Sequence, residues 1–264
     1  MDYKFIFTLL LLIITILLLV IKFLINRKKK YETFINNKIH YIFWTGGYDS
    51  TFRLCQLLIE EKKVVQPIYI SAIIDNDVDK NTRRHNHRFE YAAMKEIKET
   101  LNKKYPYTKE LLLPLIDIKD LPIDEDIKEN MKHLKQQKRV RRAVCQYGGL
   151  AQVARNIKRK TGEKVEICVE KEPHGSMMYN TLYGKVDCHN NICNLKKANS
   201  EYDMPLMIFD NFKFTTLHLS KKDMLNVAKK NGYLNILEKT WSCWYPRDGK
   251  PCGRCIMCRE RIIK

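Results

Sequence analysis

The chain has 264 residues, 45% hydrophobic and 30% charged, enough for one medium domain with a buried core plus appendages. It carries no internal repeat and no long low-complexity tract, which excludes repeat architectures, and two domains are not required. The formal net charge is +18, and because six basic residues and one acidic residue fall within the first thirty, +13 remains on the rest. Such an excess suits an anionic partner, whether nucleotide, tRNA or the inner lipid surface; the other reading is a lysine-, asparagine- and isoleucine-heavy composition on a solvated surface.

Phe5 to Ile21 carries no charge, and the apolar run extends past Lys22 to Ile25, about the length that spans hydrocarbon as a helix. No small-residue cleavage site follows; the next residues are Asn26-Arg27-Lys28-Lys29-Lys30. The run therefore reads as an uncleaved, single-pass N-terminal transmembrane helix over residues 1–30, and the basic flank places the remaining chain, 31–264, on the cytosolic side of the membrane. Nine cysteines in a cytosolic domain are expected to be reduced.

After a polar linker, Lys38 to Trp44 is a β-branched and aromatic run fit for a strand. Thr45-Gly46-Gly47-Tyr48-Asp49-Ser50-Thr51 follows directly and leads into a helix whose apolar positions are Phe52, Leu54, Cys55, Leu57 and Leu58. The glycines let backbone approach an anion, the helix start offers amides, and Ser50 or Thr51 can add a hydroxyl donor. A phosphate-binding loop is expected over Thr45 to Thr51. It is neither the G-x4-G-K-[ST] nor the G-x-G-x-x-G pattern. Asp49 would repel bare phosphate, so it is assigned to magnesium or to bracing the loop.

Further strands are expected at Val64 to Ile74, Leu111 to Ile118 and Lys164 to Val169, with helices at Arg88 to Lys104, Glu125 to Arg139 and Arg142 to Lys160. This alternation predicts an α/β fold, an open parallel sheet with helices on both faces. On the last of these helices Cys145 sits on an apolar face and reads as a core thiol. Periodicity fails from Glu170 to Asp210, which reads as a long loop or insertion; Cys188, His189 and Cys193 there match no common zinc spacing and are taken as loop residues. Phe212 to Leu219 is a last strand, and Ser220 with Asp223 predicts a capping box on a helix that Gly232 ends.

The chain closes with Cys243, Cys252, Cys255 and Cys258 in the order C-x8-C-x2-C-x2-C. Four thiolates at this spacing meet the tetrahedral demand of a structural zinc, which leaves no open position for catalysis. Trp241 and Trp244 are expected to pack around the first ligand.

Together these motifs resemble a known group. TGGYDST is similar to the S-G-G-x-D-S loop of the PP-loop ATP pyrophosphatases, with Thr45 in place of the first serine. T-W-S-C followed by C-G-R-C-I-M-C, over residues 240–261, resembles the ending of the 7-cyano-7-deazaguanine synthases of queuosine biosynthesis, and Thr215 to Asp223 resembles the strand and helix before it. Arg155-Asn156 is similar to an R-N pair of the family, and Arg84-His85 with Glu90 to an R-H…E element. Where the family has a substrate-facing G-V-N-x-x-D segment with a Y-P-D-C run, this chain reads Val169-Glu170-Lys171-Glu172-Pro173-His174-Gly175. The resemblance implies ATP with magnesium, attack of a deazapurine carboxylate on the α-phosphate, release of pyrophosphate, and amide then nitrile formation with ammonia. No side-chain nucleophile is needed, so no catalytic residue is named. Two alternatives stand beside it: an adenylating modifier of tRNA or another nucleobase, and a non-catalytic, membrane-tethered nucleotide-binding zinc module.

Overall fold

The computed structural model describes residues 14–22, 38–71, 86–140, 144–171 and 177–261. The chain forms two units, Met1–Ile39 and His40–Lys264. In the first, residues 14–22 are helical and exposed, while the rest of the expected membrane span lies outside the described residues. Among the described residues no helix is long and apolar enough to cross a membrane.

The second unit is built on seven strands: β1 (His40–Phe43), β2 (Val65–Ile70), β3 (Ile116–Ile118), β4 (Val165–Ile167), β5 (Val186–His189), β6 (Ile192–Leu195) and β7 (Phe212–Phe214). They lie in the order β3-β2-β1-β4-β7-β6-β5. The first five in that order run parallel, and β6 and β5 are antiparallel additions at one edge.

Because β-strand side chains alternate between faces, neighbouring residues of β1 serve opposite cores. Phe43 joins Ile68 and Phe212 under the helices α3 (Glu125–Gln136) and α4 (Val144–Thr161), through Ile127, Met131, Leu150 and Ala151. Ile42 joins Tyr69 under α1 (Tyr48–Cys55), α2 (His87–Lys104) and α6 (Lys221–Lys230), through Phe52, Leu54, Ile97 and Met224. The sheet is thus covered on both sides, as the apolar runs of β1 and β2 require. Helix α6 opens with the expected capping box, Asp223 N–H donating to Ser220 Oγ at 3.2 Å, and Gly232 beyond its end takes φ +76°.

Four expectations need correcting. The sheet is not wholly parallel, and the segment from Glu170 to Asp210 is not a long loop: it contains the helix α5 (Met177–Leu182), the β5–β6 hairpin and a 3-10 helix at Met204–Phe209. The hairpin turns on Asn190 and Asn191, both at positive φ (50° and 64°), the conformation that a two-residue hairpin turn demands and that asparagine tolerates. Antiparallel pairing sets Cys188 opposite Cys193 with Cα atoms 4.0 Å apart, and the two form a disulfide, so this pair departs from the expected reduced state. The third expected strand is also shorter, since Thr108–Leu111 forms a single helical turn before it.

Candidate nucleotide cleft and metal centre

The strand order reverses at β1: β2 and β3 lie to one side of it, β4 and β7 to the other. Open α/β sheets bind ligands at the carboxyl ends of the strands flanking such a reversal. A cleft of about 950 Å³ lies there, lined by Thr45, Gly47, Tyr48, Asp49 and Ser50 after β1 and by Cys168, Val169 and Glu170 after β4.

The loop's shape follows from its glycines and their neighbours. Gly46 has φ +70°, and a Cβ on it would lie 3.0 Å from the Glu90 carbonyl oxygen and 3.1 Å from Met94 Cγ, so only glycine lets the loop sit against α2. Gly47 caps α1 without any side-chain cap, and the first helical bond runs from Thr51 N–H to the Gly47 carbonyl at 3.1 Å. The amides of Tyr48, Asp49 and Ser50 therefore belong to the first turn, where an α-helix offers no internal acceptor and a partial positive charge develops. Five of the seven expected loop residues line the cleft. The other two do not: Gly46 packs on α2, and Thr51 is fully buried with its hydroxyl accepting from Trp44 Nε1 at 3.0 Å. Thr51 thus ties the strand end to the helix instead of donating into the cleft.

Behind the loop lies a buried ion-pair group. Glu166 on β4, 1% exposed, accepts from Arg53 Nε at 2.7 Å and contacts His40 Nδ1 at 3.0 Å, and Arg53 also pairs with Glu61. Burial alone would raise the Glu166 carboxyl; the His40 hydrogen bond and the Arg53 charge outweigh it and hold it below the ordinary range. This group fixes α1 to β1 and β4, the elements on either side of the switch point.

Inside the cleft Lys221, the first residue of α6, pairs with Glu170 at 2.6 Å and lies 3.6 Å from Glu260, while its carbonyl accepts from the Tyr48 hydroxyl at 3.5 Å. It joins β4, α1 and the C-terminal cysteine segment at one point. The sequence assigns it no role; its place directly after the Ser220 cap, two residues before Asp223, was the available signal. Cys168 lines the cleft, and burial raises its thiol above the ordinary range, which disfavours the thiolate. The side chain of Cys145, and Arg84, His85 and His174, lie outside the described residues.

The four C-terminal cysteines come together, their Sγ atoms all within 4.8 Å of one another. Thiolates about 2.3 Å from a tetrahedral zinc have sulfur–sulfur edges of about 3.8 Å, and Cys252 and Cys258 stand 3.9 Å apart. Gly253 at φ +67° turns the backbone so that the amides of Arg254 and Cys255 point at Cys252 Sγ, at 3.5 and 3.4 Å, which pulls that thiol down to about 6. The donor set fits zinc, with every ligand supplied by protein. The segment is also tied to the loop: Trp241 N–H donates to the Gly46 carbonyl at 3.0 Å, and the Trp241 ring stacks on Phe89 of α2 at 4.6 Å. Trp241 therefore packs between loop and metal centre, whereas Trp244 is 38% exposed at the cleft edge.

Fold and site together define an α/β domain with a glycine loop at its switch point and a four-cysteine cluster, able to hold a metal ion, joined to that loop. Residues 187–263 match the family described as queuosine biosynthesis protein QueC, a span that runs from the hairpin through β7 and α6 to the cysteines. None of the curated proteins matches the chain.

Proposed function

We propose that this chain is an ATP-dependent ligase of the PP-loop type that adenylates its acceptor at the α-phosphate, with 7-carboxy-7-deazaguanine to the 7-cyano product as the closest reaction. The observation that carries the reading is the bond between the two motifs, Trp241 N–H to the Gly46 carbonyl, which makes the loop and the cysteine segment parts of one cleft. In this reading the acceptor carboxylate attacks the α-phosphorus of ATP and pyrophosphate leaves. Ammonia then displaces AMP to give the amide, and a second ATP activates the amide oxygen so that loss of AMP and a proton leaves the nitrile. The first-turn amides of α1 receive the phosphates, and Asp49 is the residue that would hold magnesium, which supplies charge neutralisation at the phosphates. Lys221 supplies a positive charge opposite Glu170, and the chain's share in the reaction is positioning and electrostatics. Zinc is structural. The apolar run before Asn26 and the basic residues after it support a membrane anchor with this domain on the cytosolic side.

Mass spectrometry of products after incubation with MgATP, ammonia and 7-carboxy-7-deazaguanine tests the acceptor. The nitrile, with the amide as a transient, is the expected result; neither product, with ATP still consumed when another nucleobase acceptor is supplied, would reassign the acceptor while keeping the adenylation.

A further inference from the structure

We propose that the outer end of the cleft receives a single RNA strand, its phosphates against Lys138, Arg139 and Lys185 and one base against Tyr183. These four residues line the same cleft as the phosphate loop but come from the end of α3 and from the β5–β6 insertion. Asp203, 5% exposed, holds two of the cations in place, Arg139 Nη2 at 2.7 Å and Lys185 Nζ at 2.6 Å. One carboxylate against two cations leaves a positive charge fixed at the mouth, and Lys138 beside it adds another. The Arg139 guanidinium also rests 4.3 Å from the centre of the Tyr202 ring, which holds its plane.

Tyr183 is 75% exposed at this rim, with the Tyr179 ring 6.2 Å away. An exposed ring beside fixed cations is the arrangement on which nucleic-acid bases stack without regard to sequence. What favours a strand over a mononucleotide is the charge beyond the mouth. Residues 132–139 contain four cations and no acid, and Lys132 and Lys135 on the last turns of α3, with Lys138 two residues past its end, are all exposed, a basic stripe of the chain next to the cleft-lining Lys138 and Arg139. A mononucleotide would leave that stripe unused, whereas successive phosphates of a strand would lie along it.

The inference does not depend on the adenylation reading, because binding is measured without ATP, so failure of one is distinguishable from failure of the other. The full-length chain in detergent is titrated into a fluorescent oligoadenylate of about twelve nucleotides, within the usual site range. Three phosphate contacts predict a slope of log affinity against log salt of about −2. Lys138→Ala combined with Lys185→Ala should weaken binding about tenfold, and Tyr183→Ala about tenfold, with Tyr183→Trp retaining affinity. Unchanged zinc content in each variant shows that the fold is kept. Absence of binding, affinity indifferent to these substitutions, or AMP displacing the strand at equal concentration would each overturn the proposal, the last by assigning the mouth to a free nucleotide.

Discussion

Cys255→Ser should yield protein without zinc, with the segment from Cys243 to Arg261 open to protease and nucleotide binding weakened. The four sulfurs are brought together by a segment with little regular structure beyond the turn Ile256–Arg259, so metal binding there is folding free energy, on the order of 10 kcal/mol for structural zinc at neutral pH. The loss would reach the cleft by named routes. Trp241 N–H supports the Gly46 carbonyl, Arg261 Nη2 holds the Thr240 carbonyl at 3.0 Å, and Met257, Glu260 and Arg261 line the cleft itself. Since the ligands bind as thiolates, zinc should be held at neutral pH and released as pH falls and the sulfurs are protonated. Metal analysis beside limited proteolysis measures both effects; undiminished zinc in the variant would refute the assignment.

Glu166→Ala should destabilise the domain by about 3–5 kcal/mol, the usual cost of removing one partner from a buried ion pair. Its carboxylate is the acid that Arg53 Nε and His40 both meet, and the Arg53 side chain is 8% exposed, so its charge would be left largely buried with Glu61, itself partly exposed, as its remaining partner. Chemical denaturation gives the difference. Because the folded Glu166 is held below the ordinary carboxylate value of 4.5, its contribution is complete above that pH and is lost as pH falls through its lower folded value. The gap between wild type and Glu166→Gln should therefore narrow in acid. A gap that stays constant from neutral pH into strong acid would show that the charge of Glu166 is not what stabilises the site.

The parallel part of the sheet was legible because its central strands are apolar runs and its helices keep a helical period, as at Ala93, Ile97 and Leu101 of α2. The glycine turn was legible from two adjacent glycines following a strand, and the clustering of the four cysteines from their spacing alone. The inserted hairpin was not, since four-residue strands with polar faces carry too little periodicity; the Asn190-Asn191 turn was its one clear mark. Thr51 could not be sorted from Ser50 by sequence, because the difference lies in a contact with Trp44 seven residues back that turns one hydroxyl inward. Lys221 and Glu170 are separated by fifty residues of chain, and only the sheet order brings them into one cleft.

The most direct test of the central claim is the identity of the nucleotide product. Purified full-length chain, MgATP, ammonia and a set of acceptors that includes 7-carboxy-7-deazaguanine and other nucleobases are incubated together, and nucleotides are separated by chromatography. Attack at the α-phosphate predicts AMP and pyrophosphate in equal amounts, with turnover reduced by Asp49→Asn and abolished by Gly47→Val, which places a branched side chain where phosphate must approach backbone. ADP with orthophosphate, or AMP formation indifferent to both substitutions, would contradict it.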